Sequence, residues 1–248
     1  MLIIAHRGAS GYCKDNSYEA IYKAIEMKSD MIEIDIRLTK DNVCVLYHDP
    51  IITTNHQTHT IDEVMYSDLP TDVVQLDELL TSTNDDIQYY LDIKCSDSNT
   101  QQFITALEII LKKHTKKHFT VASFCTKFIQ DFNVATNNYE LAMIYNTLQQ
   151  NDIHILNDLI PRIKYIIISI TNIIDQTDQT DQTDQTDQIK NLFDVLKKIQ
   201  SNIQIFIYTI NNIDVLEHLH TYLISCPRSY INGIITDVPD IISSYYTI

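Results

Sequence analysis

The sequence predicts an α/β protein built as a (β/α)8 barrel, and three observations carry that expectation. Short β-branched or aromatic runs alternate from end to end with stretches whose apolar residues recur at helical spacing. Some runs, such as Tyr165-Ile166-Ile167-Ile168, are continuously apolar, as strands of a parallel sheet covered on both faces must be. With one hairpin return set aside, eight strands each followed by a helix remain in 248 residues, and roughly 250 residues is the usual length of such a barrel. A doubly wound open sheet is the second architecture with this pattern.

The strand runs fall at residues 2–5, 31–36, 43–47, 87–93, 119–123, 140–144, 165–170, 204–208 and 233–236. Between them, Ala20, Ile21, Ala24 and Ile25 share a helical face, as do Phe103, Ala106, Leu107, Ile110 and Leu111, and later Leu192, Val195, Leu196 and Ile199. Only Lys40-Asp41-Asn42 separates the second run from the third, too few residues for a parallel crossover, so this pair is a β-hairpin extension after the second strand. Asp41-Asn42 offers two residues that tolerate positive φ in a two-residue turn. Residues 50–86 form an enlarged loop on the active face, with a short helix at 75–80. Residues 175–188 are Asp-Gln-Thr triplets that match neither a helical nor a strand period, a solvated insertion. The whole chain, 1–248, is expected to be a single domain.

A formal net charge of −15 from 33 acidic and 18 basic residues, with no extended basic stripe, excludes non-specific nucleic-acid binding. No apolar run reaches the roughly 20 residues of a membrane span, leaving only transient contact at a membrane surface. Five scattered cysteines without a C-x-x-C pair read as reduced thiols, and with no signal peptide at the N-terminus the expected location is cytoplasmic. Nothing in the pattern fixes an oligomeric state. His114 and His118, one helical turn apart among lysines, read as a basic helix C-terminus rather than a metal site. Of the three glycines, Gly8 and Gly11 follow the first strand and Gly233 opens the last. All three are expected beside the site.

Chemistry concentrates where strands end. The first strand runs into His6-Arg7-Gly8, a proton-transfer group beside a bidentate clamp for phosphate or carboxylate. Glu33 and Asp35, two apart, share a face of the second strand. A two-residue hairpin turn places His48 directly opposite Asp35 on that face, whereas a one-residue bulge would turn it away. Carboxylates among Met31, Ile32, Ile34 and Ile36 are costly to bury without cations, and a divalent metal is the simplest account of them. Asp92 and Lys94 share a face of the next strand, adding a third hard oxygen ligand for Mg²⁺ or Ca²⁺ and a second cation.

In these residues the chain resembles the glycerophosphodiester phosphodiesterases. The resemblance runs in order through His6-Arg7-Gly8, Asp15-Asn16-Ser17, Glu33-Ile34-Asp35, Leu38-Thr39-Lys40-Asp41, His48-Asp49, Leu91-Asp92-Ile93-Lys94, Ser123-Phe124, Tyr208-Thr209-Ile210-Asn211 and Gly233-Ile234-Ile235-Thr236-Asp237. It implies a distorted TIM barrel with one divalent cation held by Glu33, Asp35 and Asp92. It implies His6 and His48 as general acid and base, in either order, and Arg7 and Lys94 as phosphate contacts. The implied reaction is hydrolysis of a small-molecule glycerophosphodiester to glycerol 3-phosphate and an alcohol.

The chain departs from the family pattern in two places, with Asp92 where glutamate is usual and Lys14-Asp15-Asn16 in place of Pro-Glu-Asn. The related sphingomyelinase D branch uses aspartate as third ligand. Two alternatives therefore stand beside diester hydrolysis: a phospholipase D-type lyase acting on lysophospholipids or sphingolipids, and a catalytically weak barrel serving as a binding module.

Overall fold

The computed structural model describes residues 1–54, 57–136, 138–148, 152, 156, 159, 162–170, 203–224 and 231–246, with the backbone alone at 218 and 221–224. The Asp-Gln-Thr tract, the helix expected at 192–199 and Cys226 lie outside the described residues. Among the described residues the order is β1 (Leu2–Ala5), α1 (Tyr18–Glu26), β2 (Met31–Leu38), β3 (Cys44–Leu46), β4 (Ile51–Thr54), β5 (Gln57–Thr60), α2 (Leu76–Ser82), β6 (Gln88–Ile93), α3 (Thr100–Lys113) and β7 (His118–Ser123). There follow α4 (Thr126–Ala135), β8 (Glu140–Tyr145), β9 (Ile163–Ser169), β10 (Gln204–Tyr208), α5 (Ile213–Ile224), β11 (Ile231–Thr236) and α6 (Pro239–Tyr246).

The strands close on themselves in the order β1-β11-β10-β9-β8-β7-β6-β2, and β2 pairs back to β1 with Ala5 beside Ile32. All eight are parallel, and β3 lies outside the closure, antiparallel to β2. The chain is a (β/α)8 barrel rather than an open sheet. Strand alternation sorts its side chains into two layers. Ile4, Tyr90, Ala142, Ile167, Phe206 and Ile235 fill the barrel interior, while Ile3, Ile34, Leu91, Ile166, Ile207 and Ile234 pack outward against the helices.

Local signals set the helices. Ser17 caps α1 by accepting from the Ala20 N–H at 3.1 Å, and Ala20, Ile21 and Ala24 form its buried stripe. Gly8, at φ +80°, lets the chain turn beneath that helix, where an added Cβ would stand 2.6 Å from the Ala20 carbonyl carbon. Gly233 corrects the expectation that every glycine flanks the site. It faces the barrel interior, where a Cβ would stand 2.6 Å from Phe206 Cδ1 and 2.8 Å from Ile4 Cδ1, so its role is to admit the Phe206 ring.

The hairpin differs from the expected two-residue turn. Ile36 pairs with Leu46, Arg37 with Val45 and Leu38 with Cys44, so three residues, Lys40, Asp41 and Asn42, make the loop. Asn42 alone takes a positive φ, +62°, and the Thr39 hydroxyl closes the loop by accepting from the Val43 N–H at 3.0 Å. The register puts Tyr47 rather than His48 level with Asp35, and the Tyr47 N–H donates to the Asp35 carbonyl at 3.1 Å. Within residues 50–86, β4 and β5 form a second hairpin that the polar threonines had concealed. Ile52, Ile61, Val64, Leu69 and Val73 pack on Val45 as a small separate core. His114 and His118 are not on one helix: α3 ends at Lys113, His114 bonds Asp77 at 2.8 Å, and His118 opens β7.

Candidate active site

The inward side chains change character along the barrel axis. From the N-terminal end upward Met31 gives way to Glu33 and Asp35, Tyr90 to Asp92 and then Lys94, Ile4 to His6. These polar ends surround a cavity of about 150 Å³ at the C-terminal mouth, with Phe124, Asn146 and Tyr208 completing its wall. A larger cavity of about 740 Å³ opens at the other end of the barrel. Of its charged groups, Lys164 pairs with Glu140 and Lys112 with Glu108, while Lys117 donates to the Thr83 and Asn84 carbonyls.

The seven residues singled out in the sequence, His6, Arg7, Glu33, Asp35, His48, Asp92 and Lys94, all line the mouth cavity. His48 arrives by a different route from the cross-strand pairing expected. It follows β3 outside the ladder, and its carbonyl accepts from Arg37 Nε at 2.8 Å and Nη2 at 2.6 Å, which fixes the segment beside the mouth. Its Nδ1 lies 2.8 Å from Asp49 Oδ1.

Oxygens of Glu33, Asp35 and Asp92, one from each, lie within 4.8 Å of one another, and all three residues are buried. The two cations serve them unequally. Arg7 Nε is 3.1 Å and Lys94 Nζ 3.0 Å from Asp35, and Asn16 Nδ2 donates to Asp35 at 2.9 Å. Burial pushes the Asp35 carboxyl up, but Lys94, Arg7 and Asn16 together hold it below the usual range. Lys94 also reaches Asp92 Oδ2 at 2.5 Å, yet burial still leaves the Asp92 carboxyl raised. Glu33 is pushed up to about 8 by burial and by the Asp35 charge.

Asp92 Oδ1 is buried with no hydrogen-bond partner. Two carboxylates are therefore left without full compensation, each carrying hard oxygen donors. A divalent cation bound among them would supply the missing charge, and the residues fit one.

Backbone strain marks the site as well. Arg7 and Asn16 take positive φ, +56° and +55°. The Arg7 N–H donates to Glu33 Oε2 at 2.7 Å, and the Asn16 side chain grips Asp35 at both its N–H and its carboxylate. Asp15, in a departure position, lies 3.3 Å from Arg7 Nη1.

Sequence reasoning gave no role to Asn16 or Asp237, although both fall in the quoted motifs. Asp237 Oδ1 lies 2.6 Å from His6 Nδ1 and accepts from the Ser10 hydroxyl at 2.8 Å, while Asn211 donates to its other oxygen. Asp237 directly follows the last strand, and in a closed barrel that strand adjoins the first. That adjacency was the available signal.

A closed (β/α)8 barrel whose C-terminal mouth gathers a buried acidic triad, two imidazoles and two cations defines an acid–base enzyme frame suited to an anionic ester. Residues 6–241 match the Glycerophosphoryl diester phosphodiesterase family, and the chain belongs to it. Among curated proteins it is 28% identical over 144 residues to a glycerophosphodiester phosphodiesterase of Bacillus subtilis (strain 168), covering 47% of this chain and 49% of that protein. A putative glycerophosphodiester phosphodiesterase of the same organism is 53% identical over 57 residues, 22% of this chain and 24% of the relative. The matched segments thus span half or less of those relatives' lengths. Among solved structures, that of an Oleispira antarctica phosphodiesterase in complex with the product sn-glycerol 3-phosphate has the same fold, with a TM-score of 0.80 at 16% identity. It covers 100% of this chain and 97% of that one. Among the described residues no helix is long and apolar enough to cross a membrane.

Proposed function

We propose that this barrel hydrolyses a glycerophosphodiester to sn-glycerol 3-phosphate and an alcohol. The observation that carries the reading is the convergence of His6, His48, Arg7, Lys94 and the incompletely compensated triad Glu33, Asp35 and Asp92 on one cavity. Family membership and the sn-glycerol 3-phosphate bound by the Oleispira antarctica phosphodiesterase favour the same substrate class. Glu33, Asp35 and Asp92 would hold a divalent cation, Mg²⁺ or Ca²⁺ by the hardness of their oxygen donors, which would polarise the phosphoryl oxygens.

The remaining roles fall to this chain's own side chains. Arg7 and Lys94 hold the diester's charge at the mouth and spread the charge that develops in the transition state. His6 uses Nδ1 on Asp237, leaving Nε2 for substrate. Burial lowers its pKa, but its surroundings, led by the Asp237 hydrogen bond, more than reverse this, so it is raised above 6.5. A protonated His6 suits the donor that delivers a proton to the leaving alcohol. His48, paired with Asp49, takes the proton of the attacking water or hydroxyl. The four free cysteines among the described residues suit a reducing compartment.

The test is product release from a panel of diesters with Mg²⁺ or Ca²⁺ added. The reading expects sn-glycerol 3-phosphate from glycerophosphodiesters. Turnover confined to lysophospholipids, with a cyclic phosphate accumulating, would replace it with the lyase reading.

A further inference from the structure

At the mouth, Lys94 Nζ stands 5.4 Å from the centre of the Phe124 ring, and a cysteine follows each of the two residues. β6 and β7 run parallel from Gln88 beside His118 to Asp92 beside Ala122. Cys95 and Cys125 each stand two residues past the end of these strands. Ser123 ties the positions together: its hydroxyl donates to the Ile93 carbonyl at 2.7 Å, accepts from the Cys125 N–H at 3.1 Å and lies 3.9 Å from Cys95 Sγ. The two thiols also interact directly. Burial first, and Cys125 after it, push the Cys95 thiol up to about 12. Lys94 and Phe124 line the cavity, and their successors pack against the barrel's outer core, both partly exposed.

The two thiols are not equivalent. Cys125 is the N-cap of α4, its Sγ accepting from the Phe128 N–H at 3.4 Å. It donates to Asp97 Oδ1 at 3.3 Å, a route for its proton to leave, and Lys127 is within electrostatic reach of both. Cys95 lacks such support. Cys44, at 1% exposed, is out of reach of an oxidant.

We propose that Cys95 and Cys125 are a redox-active pair, closed to a disulfide by hydrogen peroxide and reopened by thiols. The Cys125 sulfur, giving its proton to Asp97, attacks one peroxide oxygen; the O–O bond breaks, the leaving hydroxide takes up that proton as water, and the sulfur becomes a sulfenic acid. The Cys95 sulfur then displaces the sulfenic oxygen, which leaves as a second water carrying the Cys95 proton. One peroxide is reduced to two waters while two thiols are oxidised to one disulfide. A disulfide requires Cα atoms roughly 4.4–6.8 Å apart, and both cysteines lie past the strand ends, so closing the bond draws on the segments after β6 and β7 rather than on the sheet ladder. It pins the ends of β6 and β7 and with them Lys94, which bridges Asp35 and Asp92. A resulting fall in diesterase activity rests on the function proposed above; the bond itself does not.

The 248-residue chain loaded with Mg²⁺ is treated with stoichiometric hydrogen peroxide, mapped by mass spectrometry of its peptides, and assayed before oxidation, after it and after dithiothreitol. The expected result is a Cys95–Cys125 cross-link, absent from C95S and C125S. Activity should fall by about tenfold and recover on reduction, within the roughly 10²-fold that a 1 Å misplacement can cost. Both variants should keep basal activity and resist peroxide. An oxidised map lacking this cross-link overturns the pair, and a complete cross-link with unchanged activity overturns its control of the site. A protein inactive before oxidation would refute the diesterase reading, and the peptide map would still decide the pair.

Discussion

His6 Nδ1 lies 2.6 Å from Asp237 Oδ1, although 231 residues separate them in the chain. Barrel closure makes the contact: β1 pairs with β11 up to Ala5 beside Thr236, so the next residue of each strand meets at the mouth. Asp237 is held from three sides, by His6, Ser10 and Asn211. Asn211 is itself fixed by accepting from the Asp237 N–H at 2.8 Å and the Thr236 hydroxyl at 3.0 Å.

This pair sets a pH window. The His6 pKa is raised above 6.5, so its stabilising share is complete below that pH and fades as pH rises through the raised value. Burial works against the Asp237 carboxylate, but His6, Ser10 and Asn211 hold it down at about 2, so its share is complete above 3.8 and fades toward pH 2. Asp237→Asn is expected to lower the His6 pKa and to shift the limb of the pH–rate profile that needs protonated His6 to lower pH. Its stability cost should be about 1 kcal/mol, since the pair is partly exposed. NMR titration of the His6 ring and a pH–rate profile check both.

Cation binding should release a proton. Glu33, held up to about 8, is mostly protonated at pH 7 in the metal-free protein and must ionise to become a ligand. Affinity for Mg²⁺ should therefore rise with pH through about 8, with close to one proton released per ion at pH 7. Calorimetry in buffers of different ionisation enthalpy measures this, and Glu33→Gln should abolish both the release and most of the affinity.

Asn16→Ala should destabilise the protein and slow it. The change strands the Asp35 N–H and removes a hydrogen bond to its carboxylate, while leaving alanine at φ +55°. An unsatisfied buried donor and a left-handed alanine together cost roughly 2–4 kcal/mol, measurable by urea unfolding.

Two glycines should respond differently to alanine. At Gly233 the new methyl meets the ends of Phe206 and Ile4, an overpacking that costs about 1–3 kcal/mol and leaves activity per folded molecule intact. At Gly8 it meets the Ala20 backbone at a positive φ, so α1 must move. A greater loss of stability, together with lost activity, is expected from unfolding and rate measurements on the two variants.

The barrel was legible because its strands are short, mostly buried runs rich in β-branched and aromatic residues, and helices such as α1 and α3 hold an apolar stripe. Six of the candidate residues, His6, Arg7, Glu33, Asp35, Asp92 and Lys94, were legible as polar side chains on or just after such strands, whereas His48 reaches the same cavity from beyond β3 and not by the cross-strand pairing expected. The hairpin register was not legible: Asp41-Asn42 permits a two-residue turn, and the three-residue one is held by the Thr39 hydroxyl bond to the Val43 N–H and by Asp41 accepting from the distant Tyr66 N–H. β4 and β5 hid in Thr-rich sequence whose stabilising partner, the patch around Val45, lies elsewhere in the chain. The Asp237 contact depends on closure, which no local period encodes.

In the proposed function, His6 and His48 act on a glycerophosphodiester at a metal-dependent barrel mouth. The direct measurement is sn-glycerol 3-phosphate release from glycerophosphocholine by wild type, His6→Ala and His48→Ala, each with Mg²⁺ and after chelation. Release lost on chelation and reduced by at least about 10²-fold in each variant, with Mg²⁺ affinity retained, is the expected result. No release by the wild type, or release undiminished in either variant, would contradict it.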